Sequence, residues 1–157
     1  MNTLRLFFYS LAVALLTTIA STHAQNYTCN GESFAKIVSW FGTKNANLME
    51  TQLNLKDCDA ETLRSKPELT TFIQALCRQL GARATGSVNI THRDHRPGYS
   101  LHQHIDSGEI SALVINKGNQ VYLDIRTTQP HNPYDIAKFA AGFLRGTQTD
   151  AHITLRQ

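Results

Sequence analysis

The residues with the clearest chemical potential in this sequence are histidines. His92, His95, His102 and His104 lie close together along the chain. If the strand predicted around the last two is correct, His102 and His104 point to the same face, roughly 7 Å apart. Such a pair could chelate a metal ion, with His92 as a third ligand. A hydrogen-bonded or solvent-facing histidine surface is the competing interpretation, because no cysteine or carboxylate stands at ligand spacing.

Serines and carboxylates close to these histidines are the other candidates for chemistry. The candidate nucleophiles are Ser100, Ser107 and Ser111, and none of them stands in a Gly-x-Ser-x-Gly elbow. The nearest carboxylates are Asp106, Glu109 and Asp124. Asp124 faces away from its apolar neighbours, towards a ligand or towards water. The sequence has no phosphate loop and no dinucleotide fingerprint.

Alternating and helical patterns predict the elements that position these residues. The spacing predicts helices over 32–41, over 60–80 with a break or bend near Pro67, and from Asn132 to Gly146. Strands are expected over 51–57, 84–91, 99–105, 110–116 and 121–127, and around Ile153 and Leu155. This order favours a two-layer α/β sandwich, with helices on one face of a largely antiparallel sheet.

The segment 1–24 has the three parts of a cleavable secretory signal. Arg5 supplies the positive charge, an apolar run follows to Ile19, and Ala24 ends a small-residue segment. The apolar run is too short to span a bilayer comfortably, although an uncleaved anchor is the alternative. We therefore expect a secreted or periplasmic protein that begins near Gln25 and has no membrane association after cleavage.

The rest of the chain, 25–157, is long enough for one domain with its own core. It carries 14 Lys and Arg, once Arg5 is removed, against 12 Asp and Glu, a net charge of +2. Because no basic run is present, nucleic acid is not an expected partner. Export would permit one disulfide among Cys29, Cys58 and Cys77, and three unpaired thiols are the alternative.

From about Thr51 to Arg156 the order and spacing of several short pieces resemble the bacterial S-adenosylmethionine decarboxylase family, whose members make a pyruvoyl cofactor by cutting themselves. Lys56-Asp57-Cys58-Asp59 is similar to an acidic turn of that family, and Gly81-Ala82 to its "Gly-Ala-Thr". Thr91-His92-Arg93 is similar to "Phe-His-Arg", Tyr99-Ser100 to "Val-Ser", Tyr122-Leu123-Asp124-Ile125 to "Ala-Val-Asp-Ile" and Asn132-Pro133-Tyr134 to "Asp-Pro-Trp". The resemblance implies residues 51–157 as the family domain, 25–50 as an N-terminal extension, and a homodimer that pairs through its sheets.

The resemblance breaks at the family's processing site. Counted without gaps, the serine that becomes the pyruvoyl group falls on Gly108, its preceding Glu on Ser107, its following His on Glu109, and the later Cys on Thr128. Glycine has no hydroxyl and cannot form the ester that self-cleavage requires. A one-residue slip would put Ser107 in the serine's place and allow a pyruvoyl group there. Ser100 keeps the place of a family residue that aids processing.

These observations lead to four hypotheses. The first is an exported family member without a pyruvoyl group, a pseudoenzyme candidate that binds a small cationic metabolite or a partner; His92, Glu109, Ser111, Asp124 and Thr128 are its predicted ligand-binding residues. The second is an active decarboxylase of polyamine biosynthesis processed at Ser107, with Ser100 and Glu109 assisting. The third is a cofactor-free lyase acting on S-adenosylmethionine. The fourth is a metal-binding module using His92, His102 and His104.

Overall fold

The computed structural model describes residues 25–93, 95 and 97–157, and the predicted secretory signal lies outside these residues. Helices and strands follow one another in the order β1 (Asn26–Thr28), α1 (Phe34–Thr43), β2 (Leu48–Lys56), α2 (Ala60–Arg64), α3 (Lys66–Gln79), β3 (Asn89–His92), β4 (Gly98–Ile105), β5 (Gly108–Ile115), β6 (Gln120–Thr127), α4 (Pro133–Leu144) and β7 (Thr147–Arg156).

The strands form one seven-stranded sheet in the order β1-β7-β2-β6-β5-β4-β3. Every pair of neighbouring strands in the described residues is antiparallel. The strands β3 to β6 follow one another as a meander, whereas β7 returns from the end of the chain to lie between β1 and β2. The sheet therefore joins both ends of the described chain.

The helices begin where capping residues satisfy their first backbone amides. Asn132 accepts a hydrogen bond from the Tyr134 amide at 3.1 Å, and Pro133 follows as the first residue of α4. Ser65 caps α3 in the same way through the Glu68 amide. Because Ser65 has an extended backbone, it separates α2 from α3, which confirms the predicted break near Pro67.

One face of the sheet carries both apolar clusters and the helices α1 to α4. The larger cluster packs α2, α3 and α4 against the inward-facing residues of β2, β4, β5 and β6, with Phe72 stacked on Phe139. The smaller cluster packs Ile37 of α1 against Met49, Ile153 and Leu155. Within the described part of the chain no helix covers the other face, so the predicted two-layer sandwich with helices on one face is confirmed.

Two parts of the chain differ from the sequence-based expectation. The strand expected over 84–91 is shorter, since Ala84 makes only an isolated bridge to Ile105 and β3 begins at Asn89. The pairing of β1 with β7 gives the segment before residue 50 a place in the sheet that its sequence did not indicate. Residues 25–47 thus supply an edge strand and a helix to the same layered structure.

All three cysteines are buried and unpaired. Cys58 and Cys77 belong to the larger apolar cluster and Cys29 to the smaller one. Burial raises the pKa of Cys58 to about 11, so its thiol is protonated at neutral pH. Of the two alternatives drawn from the sequence, the fold has the three unpaired thiols. None of the helices among the described residues has the length and apolar character needed to cross a bilayer.

Candidate functional site

The face of the sheet without helices carries a row of polar side chains that crosses five strands. Strand register aligns His152, Gln52, Asp124, Ser111 and His102, from β7 through β2, β6 and β5 to β4. Residues paired across neighbouring strands project to the same face of a sheet. We call this surface the open face.

A groove of about 860 Å³ lies along this row. The side chains that project from the open face into it belong to Gln52, Asn54, Ser100, Ser111, Leu113, Tyr122, Asp124, Asp150 and His152, and Asn30 borders it. Tyr122 is 43% exposed, an unusual value for a large aromatic residue in mid-strand. The groove thus combines polar groups with an accessible ring, as small-molecule sites do.

Asp124 is the most chemically distinctive residue of the groove. Its Oδ2 accepts a hydrogen bond from Arg126 Nη2 at 3.0 Å. Its Oδ1 is closed off from bulk solvent, and no donor among the described residues reaches it. Burial raises the pKa of Asp124, although the guanidinium of Arg126 opposes that shift. A half-buried carboxylate with an unused oxygen is suited to receiving a donor from a ligand.

Next to the groove, one arginine holds three carboxylates. Arg126 contacts Glu50 Oε1 at 3.2 Å, Glu109 Oε1 at 3.2 Å and Asp124 Oδ2 at 3.0 Å. Arg156 binds the other oxygen of Glu50 through its Nε at 2.9 Å. The two guanidiniums outweigh the effect of burial on Glu50 and hold the pKa of its carboxyl below the usual value. The network fixes the charges that border the groove.

At the β4–β5 end of the network, His102, His104 and Glu109 come together. Their ligand atoms all lie within 4.8 Å of one another. His92 is not part of this group: it pairs with Tyr99, whose ring it contacts edge-on, and this pair projects from the opposite face to Ser100 and His102. The structure therefore brings two of the three predicted metal ligands together and replaces the third, His92, with Glu109.

The β4–β5 turn, where the sequence analysis placed the processing site, consists of Asp106 and Ser107. The backbone oxygen of Ser107 accepts hydrogen bonds from the Thr128 amide at 2.7 Å and from Thr128 Oγ1 at 3.2 Å. Gly108 follows with a φ of 149°, and a Cβ at this position would lie 2.0 Å from the backbone oxygen of Arg126. No residue but glycine fits this backbone as it stands.

A pocket of about 240 Å³ adjoins this turn and is separate from the groove. Ser107, Thr128 and His131 line it. His131 is buried, and burial lowers its pKa from 6.5 to about 4. The predicted catalytic Ser107 and ligand-binding Thr128 thus lie at one pocket, while Ser100, Ser111 and Asp124 lie at the other.

Besides Thr128 at the separate pocket, two further residues predicted to bind the ligand do not line the groove. Glu109 is engaged by Arg126 and faces His102, and His92 projects from the other side of the sheet. Sequence reasoning missed Glu50, Arg126 and Arg156, although alternation along β2 and β6 places Glu50 and Arg126 on the open face. It also missed Tyr122 as a groove residue, since an exposed mid-strand tyrosine gives no signal by itself.

Comparison with known proteins assigns the family. The family model for S-adenosylmethionine decarboxylase matches residues 49–157. The chain belongs to this family. Its fold is also similar to the crystal structure of the adenosylmethionine decarboxylase from Aquifex aeolicus VF5, with a TM-score of 0.58 at 12% identity, covering 69% of this chain and 88% of that chain. No curated protein sequence matches at a significant level.

Members of the S-adenosylmethionine decarboxylase family are normally pyruvoyl-dependent after self-processing. At residue 108, where the family's processing serine falls when the sequences are aligned without gaps, this member does not fit a pyruvoyl group. Gly108 has no hydroxyl to become a pyruvoyl carbonyl, and its backbone leaves no space for a side chain.

Proposed function

We propose that this chain is an exported member of the S-adenosylmethionine decarboxylase family that remains uncut, carries no pyruvoyl group and binds a small cationic metabolite in the groove of the open face. S-adenosylmethionine and polyamines are the ligand class, since both carry positive charge on a flexible chain. The proposal rests on two features that occur together. The turn at the family's processing site has a glycine, Gly108, with no space for a side chain, and Asp124 has a carboxylate oxygen without a donor among the described residues.

The processing turn keeps one part of a self-cleavage site and lacks the other. The contacts from Thr128 polarise the backbone carbonyl of Ser107. The carbon of this carbonyl is the atom that a nucleophilic side chain at residue 108 would attack. The next residue is Gly108, which has no nucleophile. If Ser107 itself were the nucleophile, the carbonyl under attack would belong to Asp106. The described backbone hydrogen bond of Asp106 instead involves its amide, which donates to the Arg83 backbone oxygen at 2.9 Å. We infer that the chain stays in one piece.

Intact-mass measurement of the purified protein tests this part of the proposal. We expect one uncut chain, and we expect the same for Gly108→Ser, because the added side chain meets the Arg126 carbonyl before it can react. Ser107→Ala serves as a control and should leave the mass pattern unchanged. Two fragments split between Asp106 and Ser107, with a pyruvoyl group on the second, would overturn the proposal in favour of an active decarboxylase.

The groove offers a cation three kinds of favourable contact. Asp124 lines the groove and has one oxygen without a donor among the described residues, Asp150 supplies a second, exposed carboxylate, and Tyr122 adds a partly exposed aromatic ring. Carboxylates form their strongest hydrogen bonds with ionised donors, and aromatic faces attract sulfonium and ammonium groups. A neutral ligand of the same shape would gain little from these groups.

Calorimetric titration with spermidine and with S-adenosylmethionine tests the binding site. We expect Asp124→Asn to weaken binding at least about tenfold, the equivalent of one charge-assisted hydrogen bond. Asp57→Asn is the matched control. Asp57 is exposed, lies outside the groove and has a φ of 53°, which asparagine tolerates. Equal affinity in wild type and Asp124→Asn would remove the groove from the proposal. Loss of S-adenosylmethionine over time with an intact chain would instead indicate that the protein is a cofactor-free lyase.

The open face is also the surface through which we propose that two copies of the chain pair, as the family resemblance implies. A second sheet over this face would cover Tyr122 and enclose the groove. Light scattering should give the mass of a dimer for the wild type and of a monomer for Tyr122→Lys. Val38→Lys, an equally exposed position on α1, should leave the dimer intact. A monomeric wild type would contradict the pairing.

Export is the remaining part of the proposal, and it depends on residues 1–24. Expression of the whole chain in a secreting host should yield a protein whose first residue is Gln25. A protein recovered from the cytoplasm with Met1 or Asn2 at its start would contradict export without affecting the groove.

A further inference from the structure

We propose that His102, His104 and Glu109 form a binding site for a divalent transition metal ion of the Zn²⁺ type at the β4–β5 end of the open face. The site lies beyond the groove, and it does not depend on the cationic ligand proposed there. It also differs from the histidine trio suggested by the sequence, because a carboxylate of the neighbouring strand takes the place of His92.

The backbone of two paired strands sets this arrangement. His102 and His104 are two residues apart on β4 and share a face, and Glu109 lies directly opposite His104 on β5. The two imidazole rings are 4.4 Å apart between centroids, and His102 Nε2 lies 3.6 Å from Glu109 Oε2. Two donor atoms bound to one tetrahedral zinc ion stand about 3.4 Å apart, so His102 Nε2 and Glu109 Oε2 are already near the spacing of two zinc ligands.

A second observation points to a missing partner at the same place. His102 Nε2 is closed off from solvent, and among the described residues it has no hydrogen-bond partner. Buried polar atoms are normally satisfied, so a nitrogen aimed at a carboxylate beyond hydrogen-bond distance is unusual. A metal ion between His102 Nε2 and Glu109 Oε2 would satisfy both atoms.

The surrounding charges support a cation here. Arg126 holds Glu109 through Oε1, which leaves Oε2 directed at His102. Metal-binding carboxylates are commonly oriented in this way by a further hydrogen bond. Arg126 is itself compensated by Glu50 and Asp124. Counted with Arg156, the network has three carboxylates against two guanidiniums, so one negative charge is in excess.

The donor set also selects the type of ion. Imidazole nitrogen suits zinc, copper and nickel, whereas calcium and magnesium prefer sites made of oxygen alone. Three protein ligands leave a coordination position open, as in catalytic rather than structural zinc sites. His104 is exposed and can rotate to admit the ion.

Titration of the full chain, expressed without a histidine tag and freed of metal by a chelator, tests the site with Zn²⁺ as the probe. We expect one ion per chain, and binding at least about tenfold weaker in His104→Ala and in Glu109→Gln. His92→Ala is the matched control and should bind as the wild type does. Co²⁺ in place of Zn²⁺ should show the visible bands of tetrahedral coordination, and these bands should be lost in both variants.

Three results would overturn the proposal: no stoichiometric zinc binding, undiminished binding in His104→Ala or Glu109→Gln, or an equal loss in His92→Ala. Circular dichroism of each variant separates loss of the site from loss of the fold. The spermidine titration should also be carried out on chelator-treated protein, so that failure of the metal site leaves the result for the groove unaffected.

Discussion

The two faces of the sheet treat buried polar groups in different ways. On the helix-covered face, Thr51, Thr127 and His131 satisfy one another: His131 Nε2 lies 2.9 Å from Thr51 Oγ1, and His131 Nδ1 lies 2.8 Å from Thr127 Oγ1. On the open face, Asp124 Oδ1 and His102 Nε2 have no partner among the described residues.

The hydrogen-bond pattern on the covered face assigns the protons. Since Thr127 Oγ1 donates to the Gln129 backbone oxygen at 2.7 Å, it accepts from His131 Nδ1, and Thr51 then donates to Nε2. Each of these side-chain polar atoms has a partner within the fold, so none is left for a ligand to bind. The polar groups under the helices are closed on one another, whereas Asp124 and His102 on the open face each keep one buried atom without a partner among the described residues.

The covered face should therefore give the largest losses of stability. Phe72 is fully buried and contacts the rings of Phe139 and Phe143. We expect Phe72→Ala to lower the free energy of unfolding by about 3 to 5 kcal/mol, through lost burial and the cavity that remains. Urea denaturation measures it, with Phe72→Leu as the milder control. A loss below about 1 kcal/mol would show that the cluster under α3 and α4 can collapse around the gap.

The second prediction concerns pH and the buried histidine. His131 has a pKa of about 4 in the fold against 6.5 when unfolded, so between these values the unfolded chain binds more protons. Stability is therefore complete above pH 6.5 and falls as the pH drops towards 4. Between pH 7 and pH 5 we expect a loss of about 2 kcal/mol from this group. In His131→Gln the loss over the same interval should be smaller by that amount; an unchanged loss would contradict a neutral His131.

Local signals in the sequence were enough for most elements of both faces. The cap and proline at Asn132 and Pro133 located α4, and the Ser65 cap located the break before α3. Alternation along β6 placed Asp124 away from the core. These features depend on residues a few positions apart, so they can be read without knowing which strands are neighbours.

The remaining features depend on sheet order, which local patterns do not contain. Glu50 meets Arg126 and Arg156, both far away along the chain, only because β2 lies between β6 and β7. The three-residue β1 is too short to show a period. His131 follows a proline and precedes a helix cap, and nothing local in the sequence indicates that the fold buries it.

The charge network at the border of the open face should give an intermediate effect. The Glu50 side chain is 4% exposed, and the two arginines that hold it, Arg126 and Arg156, are 43% and 44% exposed. We expect Glu50→Gln to cost about 1 to 2 kcal/mol, less than a fully buried pair because both arginines remain in contact with water. Glu32→Gln is the matched control. Its ion pair with Lys36 is exposed and should cost less than about 0.5 kcal/mol. Equal costs would contradict the special position of Glu50.

The smallest effect on stability is expected at Asp124, where the proposed effect on binding is largest. Burial raises the pKa of Asp124, so the fold favours its protonated form and its charge costs stability as the pH rises above the ordinary value of 3.8. Asp124→Asn removes that charge and can keep the contact with Arg126 through its amide oxygen. We expect the free energy of unfolding at pH 7 to rise by no more than about 0.5 kcal/mol.

Urea denaturation at pH 7 measures this change in the same preparation that is titrated with spermidine. If a residue is retained for stability, its substitution lowers the free energy of unfolding of the protein. If it is retained for binding, its substitution lowers the affinity for the ligand and leaves the fold unharmed. A loss above about 1 kcal/mol in Asp124→Asn would make Asp124 a structural partner of Arg126. In that case the unused oxygen at Asp124 would no longer distinguish the open face from the covered one.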